Sequence, residues 1–130
     1  MAVPSAYTYS AAALVAAHTA FRDLLDTGAG NATIKIRDAS DVLLATITLA
    51  DPCGSVNGTT GQLTFTVYAR EDSAPAGGTA AYGEFCDVAG AVHLSLPAQE
   101  GSVAVSGYLV MNTLTVVAAA PVEVSSAVIG

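Results

Sequence analysis

The sequence predicts a mainly β fold, an antiparallel β-sandwich or jelly roll carrying one N-terminal α-helix. Apolar residues recur at helical spacing once, early in the chain, and with a period of two almost everywhere after it. Ala, Val, Thr and Gly are the commonest residues, followed by Leu and Ser, and the abundance of Val, Thr, Gly and Ser favours short strands and turns. Clusters of Gly, Pro, Asn and Asp separate the alternating runs at regular intervals, the pattern of a sandwich. With 130 residues the chain fits one domain, able to bury roughly two-thirds of its unfolded surface.

Residues 1–9, "MAVPSAYTY", hold Pro4 and two tyrosines without periodicity and are expected to form an extended arm; residues 10–130 form the domain. Ser10 is the expected helix N-cap, because its hydroxyl can accept from an orphan amide of the first turn. Leu14, Ala17, Phe21, Leu24 and Leu25 make one helical stripe, and Gly28 and Gly30 supply the stop, which places the helix at about 11–26. In "NATIKIR", "LLATITL" and "QLTFTVYAR" the faces Ile34/Ile36, Leu43/Ala45/Ile47/Leu49 and Leu63/Phe65/Val67 alternate with polar residues, as in half-buried antiparallel strands. The stretches "RDAS", "DPCGSVNGTTG" and "EDSAPAGG" read as turns and loops. Two or three further strands follow toward the C-terminus, with Pro121 at a strand start or edge. The expected core comprises Phe21, Leu24, Ile34, Ile36, Leu43, Ile47, Leu63, Phe65, Phe85, Leu94 and Val116.

"GTAAYGEFCDVAGAVHLSL", residues 78–96, brings a glutamate, a cysteine, a histidine and a serine close together. A tight hairpin at Ala89-Gly90 would pair Cys86 with His93, Phe85 with Leu94 and Glu84 with Ser95. Phe85, Val92, Leu94 and Leu96 then face the core, while Tyr82, Glu84, Cys86, His93 and Ser95 face outward. Slipping the register by one residue would bury Glu84 and His93 in place of Phe85 and Leu94, which the cost of burying polar groups disfavours. Cys86 and His93 could in principle act as a nucleophile–base pair with Glu84 as orienter, but no oxyanion site or nucleophile elbow accompanies them. A flat strand face that contacts solvent or a partner is the expectation, and no catalytic residue is assigned.

The charge balance narrows the partners. The formal charge is −7 with only Arg22, Lys35, Arg37 and Arg70 positive, which argues against nucleic-acid binding. No run of eighteen apolar residues exists to span a membrane, and "AAALVAAHTA" lacks the basic flank of a signal segment. Two histidines and two widely spaced cysteines are too few for structural zinc, so Cys53 and Cys86 read as buried thiols ahead of a disulfide. Asp38, Asp41 and Asp51 lack the spacing of a calcium loop and read as turn residues. His18 reads as a boundary histidine of the helix. Tyr7 and Tyr9 in the arm, and Tyr82, Glu84 and His93 on the outer hairpin face, are the candidate partner contacts. Few lysines blunt the sheet edges, which together with the apolar arm points to a homo-oligomer, a dimer or trimer.

The order "FRDLLDTGAG", "NATIKIR", "LLATITLADP", "GTAAYGEFCDVAGAVHLSL" and "LVMNTLTVVAAAPVEVSSAVI" resembles a family of small tailed-bacteriophage virion proteins, the head-decoration or capsid-cement proteins. The resemblance spans residues 11–129. It departs at Tyr82-Gly83-Glu84, where the family carries an aromatic pair and an arginine, and at "DASD", where the family has a longer loop. The resemblance implies a non-enzymatic virion structural role on the capsid surface, assembly in the host cytoplasm, the major capsid protein as partner, and no cofactor. A tail or head–tail connector component is the second expectation. A carbohydrate-binding sandwich is the third, disfavoured by the lack of Trp.

Overall fold

A computed structural model describes residues 9–130. The helix α1 covers Ala11–Leu25, and Ser10 caps it by accepting from Ala13 N at 3.1 Å. It ends at Asp26, followed by Gly28 and Gly30, both at positive φ (110° and 121°) that side chains other than glycine's resist. The face turned inward is Leu14, His18, Phe21 and Leu25, of which only Leu25 is fully buried. That corrects the expected stripe, since Ala17 and Leu24 point outward and Leu24 is 44% exposed. Both sides of this helix are apolar, so hydropathy could not choose between them. The choice falls to His18, whose Nδ1–H donates to the Gly61 carbonyl, and to Gly61, where an added Cβ would lie 2.3 Å from Leu14 Cβ.

Nine strands follow: β1 Thr33–Arg37, β2 Leu43–Val56, β3 Leu63–Ala69, β4 Gly78–Thr79, β5 Tyr82–Cys86, β6 Val92–Glu100, β7 Tyr108–Met111, β8 Thr115–Val116 and β9 Ser126–Ile129. The mainly β class with an N-terminal helix is as expected, but the expected sandwich or jelly roll is replaced by a closed barrel. Its strand order is β1-β2-β3-β9-β7-β6-β5, with β5 returning to β1. Alternation satisfies either architecture, because both need one buried face per strand. The barrel is decided by pairings far apart in sequence, β1 with β5 and β9 with both β3 and β7. Nor is the wall wholly antiparallel, since β6 and β7 run parallel.

Ile34, Ile36, Ile47, Leu49, Leu63, Phe85, Leu109 and Met111 fill the interior, with Phe65 and Phe85 rings 4.5 Å apart at 43°. Gly83 makes room for this layer, since an added Cβ would stand 2.6 Å from Leu109 Cδ2 and 3.0 Å from Ile34 Cγ2. Of the expected core, Ile34, Ile36, Ile47, Leu63, Phe65, Phe85 and Val116 are buried, and Phe21 and Leu94 pack partly buried against them.

Leu43 is corrected to half-buried and Leu44 takes its place. Arg37 pairs with Leu43 but Ile36 with Ala45, so Leu44 is the extra residue of a bulge. It is buried against the small β4–β8 ribbon, where an added Cβ on Gly78 would lie 3.3 Å from it. The loop expected from "DPCGSVNGTTG" is also shorter, because β2 runs on through Val56. Its partner register jumps from Leu49↔Val67 to Gly54↔Phe65, and the intervening Cys53 N donates to both Asp26 carboxylate oxygens at 3.0 and 3.1 Å. The irregular stretch is thereby tied to the end of α1.

Candidate functional site

Two turns of the same shape stand at opposite ends of the β1–β5–β6 wall, one after Arg37 and one after Cys86, which faces Thr33 at the start of β1. Asp38 N–H bonds Val42 O and Asp41 N–H bonds Asp38 O, both at 3.1 Å, while Asp38 Oδ1 accepts from Ser40 N (2.8 Å) and Val42 N (2.9 Å). Asp87 repeats the scheme: its N–H bonds Ala91 O, Gly90 N–H bonds Asp87 O, and Asp87 Oδ1 accepts from Ala91 N, all at 2.9 Å. Each is a three-residue loop whose last residue takes a left-handed conformation, Asp41 at φ 66° and Gly90 at φ 92°. The two-residue loop expected at Ala89-Gly90 is corrected accordingly. Phe85↔Leu94 and Glu84↔Ser95 hold as expected, but a register shift pairs Cys86 with Val92 instead of His93 and leaves Val92 exposed.

That shift separates the suggestive residues. His93 Nε2–H donates to the Asp87 carboxylate at 2.9 Å. This bond, then the Ala91 amide, holds the Asp87 carboxyl below its ordinary range. Cys86 is a buried free thiol, as expected from the cysteine count and contrary to its expected place on the outward hairpin face, with Sγ 3.7 Å from the Glu84 carbonyl, and burial pushes its thiol up. Burial and then the Asp26 charge push Cys53 up to about 12. Both thiols are free and neutral near pH 7, a poor state for a nucleophile.

Tyr82 and Glu84 are drawn into the first turn. Arg37 Nε donates to the Glu84 carboxylate, Arg37 Nη1 donates to Asp41 O at 3.1 Å, and the Tyr82 hydroxyl donates to the Asp41 carboxylate. Donating to that carboxylate, with burial and the Asp41 charge, lifts Tyr82 to about 12. The register places Arg37 beside Tyr82 and Lys35 beside Glu84, so the strands hold these groups against one another. Tyr82 and Glu84 are thus brought together, His93 belongs to the turn at the far end of the wall, and Tyr9 lies exposed before α1. Tyr7 falls outside the described residues. Asp38 and Asp41 share a turn while Asp51 lies on β2, and no three His, Cys, Asp or Glu groups gather for a metal among the described residues. None of the described helices is long and apolar enough to cross a membrane.

A second feature lies between β3 and β9. Those strands pair only at Leu63↔Ile129 and Thr64↔Val128. Ser125 N then turns to Val110 O on β7, and contact with the β3 side resumes at the Glu71↔Val122 bridge. Val67 lies on the inward face with Leu63 and Phe65, yet it is 39% exposed. A cleft of about 490 Å³ opens there, lined by Val67, Arg70, Asn112, Glu123, Val124 and Ser125. Arg70 is held by Glu123 at 3.0 Å and Asp72 at 3.3 Å. Ser126 Oγ, where the strands part, is buried without a partner. Pro121, expected at a strand start or edge, lies outside the strands, next to the Glu71↔Val122 bridge. Comparison with family models, with curated protein sequences and with solved structures found no match for this chain.

Proposed function

We propose that this chain is a bacteriophage virion structural protein, a capsid decoration or cement protein that binds the major capsid protein and itself and catalyses nothing. The observation that carries the reading is an uncharged band on the outer barrel wall. Register aligns Tyr108 with Val128 and Val128 with Thr64; Val128 is itself buried, while Tyr108, Thr64, Thr66 and Tyr68 are exposed, the last two extending the row along β3. Tyr68 is 75% exposed, and the whole of β3, "LTFTVYA", lacks a charge in a chain holding eleven acids. Such a surface has aromatic area for a protein partner and no charge to desolvate. The engagement of His93 with Asp87 and the raised thiols of Cys53 and Cys86 favour a structural role over a nucleophilic one.

Cryo-electron microscopy of the virion that carries this chain tests the reading. Density for the barrel on the capsid exterior is expected, with the Tyr68 face toward the capsid protein. Density on the tail or connector would replace this reading by the second one, and absence from the particle would overturn both.

A further inference from the structure

We propose that the cleft between β3 and β9 seats the N-terminal segment, residues 1–8, of a second copy of this chain, with Tyr7 as the inserted side chain. The proposal rests on the self-association part of the function above and not on its capsid part. From Phe65 to Ala69 the β9 side of β3 has no ladder partner among the described residues, and the strand carries neither charge nor proline to blunt that edge. An added extended segment satisfies such an edge through its main chain while side chains fill the pockets beside it.

The occupant follows from charge and reach. Arg70 already lies between Glu123 and Asp72, so a charged visitor would have to break an ion pair whereas an uncharged one would not. Residues 1–8, "MAVPSAYT", contain no charged side chain. Val67 and Val124 offer apolar walls; Ser125 Oγ donates to Asn112 Oδ1 at 3.0 Å, which leaves the Asn112 amide N–H and the Ser125 oxygen to meet a visitor, a mixture that suits the ring and hydroxyl of a tyrosine. The first turn of α1 packs at Gly61, six residues before Val67, or roughly 20 Å along a strand. Nine extended residues span roughly 30 Å, so a chain's own segment brings only its first residues to Val67 and leaves Tyr7 short. A second copy has no such limit.

The test uses the purified full-length chain. Ser5→Cys and Val67→Cys are made in separate chains, mixed and oxidised. A disulfide-linked dimer is expected from the mixture and from neither variant alone. Failure of the mixture to cross-link overturns the proposal, as does cross-linking only within single chains when both cysteines are placed on one chain. Sedimentation equilibrium gives an independent reading. Val67→Asp and Tyr7→Ala should each weaken self-association at least about tenfold with an unchanged circular dichroism spectrum, and Val103→Asp, on a side chain 74% exposed elsewhere, should not. Self-association untouched by Val67→Asp, or a wild-type chain monomeric at every concentration, overturns it too. Neither measurement involves a capsid, so failure here leaves the particle reading standing, and the reverse.

Discussion

Along the β1–β5 line five residues on each strand face a partner, from Thr33 opposite Cys86 to Arg37 opposite Tyr82, and side chains lash the outer surface through Arg37–Glu84 and Tyr82–Asp41. Along the β3–β9 line only two do, and an inward residue, Val67, meets solvent. The same alternation of apolar and polar residues wrote both walls. Alternation fixes which way a side chain points. Whether anything meets it depends on a strand that arrives from far along the chain.

The largest effect that would sharpen this contrast uses two residues of one strand face. Phe65→Ala removes a ring packed on Phe85 and should cost about 3–5 kcal/mol in urea unfolding, whereas Val67→Ala, two positions on, should cost less than about 1 kcal/mol. Equal losses would mean that the opening beside Val67 is closed in solution. Next comes Gly83 on β5, inside the continuous wall. Gly83→Ala would press on Leu109 and Ile34, both fully buried, and should destabilise by about 1–3 kcal/mol in the same assay. A neutral outcome would show this side to be looser than its ladder implies.

The smallest effect reads the outer lashing through pH. The Tyr82 hydroxyl is raised from 10.0 to about 12, so its contribution to stability is complete below pH 10 and is lost as pH climbs through about 12. Absorbance titration should find one tyrosine ionising near the top of that window, and Tyr82→Phe should remove it and flatten the alkaline limb of stability. Five tyrosines titrating together near 10 would break the idea that Asp41 holds this hydroxyl.

Local signals were legible where one residue type does one job. Ser10 capped the helix, the period of two placed Ile34, Ile36, Ile47, Leu63, Phe65 and Phe85 inside, and the hairpin kept Phe85 opposite Leu94. What stayed hidden depended on distant partners. Leu43 and Leu44 are equally apolar, and only a bulge with a ribbon from residues 78 and 116 selects Leu44. Leu24 and Leu25 differ by one step around a helix whose docking is set by Gly61. The candidate site was half legible. Tyr82, Glu84 and His93 were placed on the hairpin, but Arg37, Asp41 and Asp87, which bind them, emerge only once β1 meets β5 and the register shifts at Cys86.

β9 stands between β3 and β7 in the wall but follows both in the chain. Residues 126–129 are therefore a keystone in time as well as in space. During synthesis β3 and β7 must wait, each short of one neighbour, until these four residues emerge, and the ring closes by contacts that span more than sixty positions, such as Leu63 with Ile129. Long-range closure of this kind is slow, in the millisecond-to-second range of sheet-dominated domains. The uncharged β3 edge is thus most vulnerable to mispairing in the newborn chain, before its own last strand has arrived.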